Sequence, residues 1–115
     1  MIQVNYAEIE ADALASSRER EQQLLDQSIA LMQRAIEQGP QSMAAVEAMH
    51  FTVRIWTHLL NDLAGPENEL SDELRAGLIS IGIWILREAE AVRQGDSDNI
   101  GEILDITRII RDGLQ

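Results

Sequence analysis

The stretch Leu74–Val92, reading L-R-A-G-L-I-S-I-G-I-W-I-L-R-E-A-E-A-V, carries more apolar side chains than one stripe of a helix can hide. Leu74, Leu78, Ile81, Ile85 and Val92 recur at helical spacing, and Ile79, Ile83 and Leu86 widen the arc. A helix with so broad an apolar face needs company on several sides, from its own fold, a second copy or another protein. A strand across Leu78–Trp84 is the local alternative, because β-branched residues cluster there. Length and flanking signals favour the helix: Ser71 can cap it, and Asp72 and Glu73 fall in the first turn, where backbone N–H groups are free. Gly77, Ser80 and Gly82 are poor helix formers in its interior, and their small size suits close approach of a neighbouring helix.

Three more helical segments flank this one. The first spans Tyr6 to Gln38, with a break or bend expected near Ala15–Arg18. Its second half sets Leu25, Ile29, Met32 and Ile36 on a stripe, with Leu24 and Leu31 beside it. Gly39–Pro40 stops it, because glycine accepts a left-handed cap and proline cannot continue the hydrogen-bond ladder. Ser42 can cap the second helix, in which Val46, Met49, Val53, Trp56, Leu60 and Leu63 repeat three and four residues apart, up to Gly65–Pro66. After a turn at Gln94–Asp98, Asn99 with Glu102 reads as a capping box for a last helix carrying Ile103, Ile106, Ile109 and Ile110. Short connections favour antiparallel neighbours. The expectation is an all-α chain, one domain over residues 1–115, folded as a compact bundle of about four helices with a long first helix and a short last one.

Charge and composition exclude several functions. The net charge is -11, all nine basic residues are arginines, and there is no cysteine. The balance is -4 over residues 1–38, -3 over 39–70, -1 over 71–94 and -3 over 95–115, so no segment offers a basic footprint for nucleic acid or anionic lipid. The least negative segment is also the most apolar, which suits burial. Without cysteine there is no disulfide, thiol catalysis or thiolate metal site. The start, M-I-Q-V-N-Y-A-E-I-E-A-D, lacks the basic and apolar regions of a secretory signal. The longest apolar stretch falls well short of the ~20 residues of a membrane span. A soluble cytoplasmic protein is expected.

The candidates for chemistry are weak. His50 and His58 sit two turns apart, about 12 Å of rise, too far for one metal. Glu67, Glu69, Asp72 and Glu73 crowd a turn but lack the alternating ligands of a calcium loop, and Asp96 and Asp98 are similar. Neither Ser80 nor Thr52 has a histidine and acid at a readable spacing, and no glycine-rich phosphate loop exists. No enzyme, metal or cofactor is expected. Trp56 and Trp84 are more informative. Each lies among leucine or isoleucine in mid-helix, where a core role is the simpler reading and an interface anchor the sharper one. Arg54, Arg75 and Arg87 could supply a rim. The alternation Arg18-Glu19-Arg20-Glu21 reads as a solvated helix face.

The run Glu47-Ala48-Met49-His50-Phe51-Thr52-Val53-Arg54-Ile55-Trp56-Thr57-His58-Leu59-Leu60-Asn61-Asp62-Leu63, followed by Pro66-Glu67-Asn68-Glu69-Leu70, resembles the FlaF family of flagellar biosynthesis regulators from alphaproteobacteria. The block Leu74–Glu90, the ending Ile109-Ile110-Arg111-Asp112-Gly113-Leu114 and the start around Tyr6-Ala7-Glu8 are similar to the same family, across essentially the whole chain. The resemblance implies a non-enzymatic flagellar assembly factor that binds flagellin in the cytoplasm and supports its production and secretion. The alternative is an adaptor that binds the translational regulator FlbT and couples flagellin synthesis to export. The family brings no catalytic or metal residues to transfer. The partner-binding candidates, Trp56, Trp84, Arg54 and Arg87, therefore rest on chemistry and on their place in the motif blocks. The surplus arc of the third helix is closed either by a client or by a symmetric homodimer.

Overall fold

Four helices follow one another: α1 (Tyr6–Gln38), α2 (Met43–Ala64), α3 (Asp72–Arg93) and α4 (Ile100–Gly113). The computed structural model describes the backbone of residues 6–113 and the side chains of residues 18–113. The resemblance carried by Tyr6-Ala7-Glu8 concerns side chains outside the described residues. The long first helix and short last helix are as expected. The break expected near Ala15–Arg18 does not occur: α1 runs through it unbroken, since Ala, Arg, Glu and Gln on either side are strong helix formers. The strand alternative across Leu78–Trp84 is also excluded, because that stretch lies inside α3.

The helix ends follow from local chemistry. Gly39 and Gly95 adopt φ of 105° and 80°, the left-handed conformation that terminates α1 and α3. Ser42 Oγ accepts from Ala45 N at 3.2 Å and donates to Gly39 O at 2.6 Å. Ser71 Oγ accepts from Leu74 N at 3.2 Å. Replacing either serine by alanine is expected to lower stability by about 1 kcal/mol, with Ser42→Ala the more damaging because it also loses the bond to Gly39; urea unfolding of the two variants measures this. The capping box expected at α4 is not formed as drawn. Asn99 Nδ2 instead donates to Glu88 Oε1 on α3 at 2.8 Å, and Ser97 Oγ donates to the same oxygen at 2.7 Å. A carboxylate one helix away offered two charge-assisted bonds, and these tie the turn to α3.

α1 packs against α2 on one side and α4 on the other, while α3 packs mainly on α2 and touches α4 only lightly. The core holds Leu25, Met32, Met49, Trp56, Ile85 and Ile103, all essentially without exposure. Several residues expected inside lie outside: Ile36, Val46, Leu74 and Ile109 are exposed. The buried face of α1 is instead Leu25, Ser28, Met32 and Ala35. On α2 it runs through Ala44, Ala45, Ala48, Met49, Thr52, Ile55 and Trp56. The buried faces of α1 and α2 thus use small alanines, while the larger neighbours Ile36 and Val46 stay exposed. Ser28 and Thr52 share a buried hydrogen bond of 3.3 Å across the α1–α2 contact, and Thr52 also donates to Ala48 O at 2.8 Å. Gly82, not Gly77 or Ser80, makes the close approach of α3 to α2. Among the described residues, no helix is long and apolar enough to cross a membrane.

Candidate functional site

Exposed apolar side chains lie both around the α1–α2 turn, at Ile36, Met43 and Val46, and at the end of the bundle where α2 passes into α3; it is at the second of these that they border a depression. Leu70 and Leu74 are exposed there, Leu74 to 50%. Beside them Leu74, Gly77, Leu78 and Ile81 floor an open depression of about 350 Å³, with Ser71 and Glu73 at its edge. Leu78 also lines a second, deeper cleft of about 90 Å³. Its other walls come from every helix: Glu21 and Leu25 from α1, Trp56, Leu59, Asp62 and Leu63 from α2, Ile110 from α4, with Asn68 and Leu70 from the connection. The two depressions share Leu78 as a lining residue.

Trp56 is the inner wall of the deeper cleft and the centre of the core at once. It is 1% exposed. Its Cε3 edge lies against Gly82, where an added Cβ would come to 2.9 Å. Among the described residues nothing accepts a hydrogen bond from its Nε1–H, although that nitrogen is buried. Such a donor normally finds a partner when it leaves water. Trp84, on α3, is half-buried against the core, and Arg54 and Arg87 are exposed on α2 and α3. Neither arginine lines either depression. The cleft's polar groups are ones that periodicity did not single out: Glu21, Asp62 and Asn68.

Glu21 has an unusual setting. It was read as part of a solvated stripe, and Arg18, Glu19 and Arg20 are indeed exposed, yet Glu21 turns inward and is half-buried. Burial raises its pKa above the ordinary carboxylate value, the Asp62 carboxylate raises it further, and the opposing pulls of His58 and Arg18 are weaker. Because the folded pKa lies above the unfolded one, folding is favoured by protonating Glu21. Stability from this group is gained as pH falls through the folded pKa and lost as pH rises above it. Glu21→Gln is therefore expected to raise the melting temperature at neutral pH, with the advantage shrinking as the wild type is acidified towards the ordinary glutamate range. A melting-temperature difference that stays flat between pH 7 and pH 4 would contradict this.

The remaining candidates for chemistry stay apart. His50 and His58 are both exposed. Among the described residues, no three His, Asp or Glu side chains are grouped to hold a metal ion. What the site offers is an apolar surface with Glu21 and Asp62 at its margin, an arrangement suited to contact.

Residues 2–114 match the family described as "Flagellar protein FlaF". No curated protein and no solved structure matches the chain. A match over nearly every residue decides the question of kinship: the chain belongs to the FlaF family, non-catalytic proteins of flagellar biogenesis.

Proposed function

We propose that the protein binds flagellin in the cytoplasm and, in the manner of a chaperone, supports its production and secretion. The observation that carries this reading is the exposed apolar surface at the α2–α3 end, Leu70 and Leu74 over the floor of Gly77, Leu78 and Ile81. A chain of net charge -11 stays soluble with such a surface, and the same charge argues against an RNA or membrane partner. Flagellin's terminal segments are amphipathic and polymerise when exposed. Covering one would bury apolar area at about 25 cal/mol per Å² while the acidic rim keeps the pair dispersed. In this reading Trp84 and Arg87, on the accessible part of α3, contribute to contact, and Trp56 supports the surface from below. Arg54 lies on the outer side of α2 and adds a polar margin.

Calorimetric titration of the purified protein with monomeric flagellin tests this directly, with FlbT as a parallel ligand. Saturable binding of defined stoichiometry to flagellin is expected. Binding of FlbT alone, with flagellin folded and inert, would replace the chaperone reading with the adaptor one.

A further inference from the structure

α4 is held differently from the other helices. α2 packs extensively on both α1 and α3, so these three form one continuous unit. α4 rests on α1, touches α3 lightly and brings its backbone nowhere close to α2. It nevertheless buries a full stripe, Ile100, Ile103, Leu104 and Thr107. Thr107 spends its hydroxyl within the helix, donating to Ile103 O at 2.7 Å, so the stripe holds by apolar packing.

The polar fastenings of α4 lie at its two ends. At the first, Glu88 Oε1 accepts from Ser97 Oγ at 2.7 Å and from Asn99 Nδ2 at 2.8 Å, which ties the connecting turn to α3. At the second, Arg111 Nε donates to Asp26 Oδ1 on α1 at 2.6 Å. Among the described residues this is the one ion pair that joins two helices; the others link residues one or three apart in a single helix. α4 is also poorly equipped to stand alone. α2 and α3 start with a capping serine, whereas the Asn99 side chain at the start of α4 is turned to Glu88. Gly101 sits in the first turn, where an added Cβ would meet nothing, so no close packing offsets its low helix propensity. Such a helix is marginal away from its neighbours. The chain enters it through a turn at residues 94–99, where Gly95 has φ of 80°.

We infer that α4 is a releasable strap: it detaches as one unit, swinging on the turn at residues 94–99, while α1, α2 and α3 keep their packing. The Glu88 contacts hold the hinge, and the Arg111–Asp26 pair is the latch. Release uncovers Ile100, Ile103 and Leu104 together with the apolar core that they cover. The open form lies between the native and unfolded states, as expected of a cooperative piece joined to the rest of a fold through few contacts. Any partner that takes up the uncovered surface shifts the population towards it.

Hydrogen exchange of the full chain, followed amide by amide by NMR, tests this. Residues 104–110 of α4 are compared with residues 49–56 of α2, both inside their helices. Two variants separate a strap from a single cooperative fold. Asp26→Ala removes the latch at an exposed position. Leu60→Ala weakens the α2–α3 contact, where Leu60 lies against Gly82 and α4 takes no part. Circular dichroism checks that both variants fold. In the wild type, protection of the α4 amides is expected to be lower than that of α2 by about tenfold or more. Asp26→Ala should speed α4 exchange by about threefold. Leu60→Ala should speed α2 exchange by about tenfold or more and leave that of α4 unchanged, because the open form keeps the α2–α3 contact. Equal protection of the two helices in the wild type overturns the inference, as does an α4 rate that Asp26→Ala leaves unmoved. Leu60→Ala accelerating both helices alike overturns it too, since α4 would then open only when the whole bundle unfolds.

Discussion

Trp56→Ala should remove about 3–5 kcal/mol of stability, the usual range for deleting a large buried aromatic side chain. Against a total of about 5–15 kcal/mol for a domain of this kind, that loss leaves a protein close to its unfolding threshold. The reason is positional. Trp56 is fully buried, touches the close approach at Gly82 and walls the cleft that all four helices line. Trp56→Phe should behave very differently. It loses part of the ring area, but it also removes a buried N–H that lacks an acceptor, and leaving such a donor unsatisfied costs about 1–3 kcal/mol. The phenylalanine variant is therefore expected within about 2 kcal/mol of wild type. Urea unfolding of the pair settles the comparison. Equal, large losses for both would mean that the indole nitrogen is satisfied in the folded protein.

The second large effect is a reversal of sign between two glycines of one helix. Both Gly77 and Gly82 lie inside α3, where replacing glycine by alanine normally stabilises by about 1 kcal/mol. At Gly77 an added Cβ meets nothing within 4 Å, so Gly77→Ala should deliver most of that gain. At Gly82 the same atom would lie 2.8 Å from Leu60 Cδ2 and 2.9 Å from Trp56 Cε3. Overpacking of this kind costs about 1–3 kcal/mol, and the indole has no room to retreat. Gly82→Ala should therefore be a net loss of about 1–2 kcal/mol, and Gly82→Val a larger one. Adding Leu60→Ala to Gly82→Ala should recover part of it, so the double-mutant cycle is non-additive. Thermal unfolding of the five variants checks the pattern. Stabilisation by alanine at both glycines would show that α2 and α3 are not in close contact there.

Much of the fold was legible because it is written in local chemistry. Gly39–Pro40, Ser42, Gly65–Pro66 and Ser71 mark helix ends through backbone conformation and capping alone, and each acts where spacing placed it. The polar face of α2 was equally legible: Glu47, His50, Arg54, Thr57, His58 and Asn61 all face outward. Family kinship was legible as well, since the resemblance read from the runs around Trp56 and Trp84 agrees with a family match over residues 2–114.

The faces were less well read, and for a definable reason. Periodicity weighs large apolar residues, but much of the buried face of α1 and α2 is small, at Ala35, Ala44, Ala45 and Ala48. Ile36 and Val46 are left exposed although they are the larger side chains, so weighting by size points to the wrong face. The functional surface was harder still. Glu21 belongs to a run of charges that looks solvated, and only the approach of α2 buries it beside Asp62. Trp56, for which a core role is the simpler reading of the sequence, is buried and lines the cleft, while Leu70, Asn68 and Ile110 join it from a loop and another helix.

The sequence by itself determined four helices, their ends, the absence of a basic surface and membership of a flagellar family, because capping, helix propensity, charge and motif identity act within a few residues or by composition. Only the tertiary structure decided which stripe of each helix became core and where the surplus apolar surface of α3 came to lie. Those depend on how closely pairs of helices approach. The cleft lined by Glu21, Trp56, Leu78 and Ile110 draws on all four helices, and no single segment contains it.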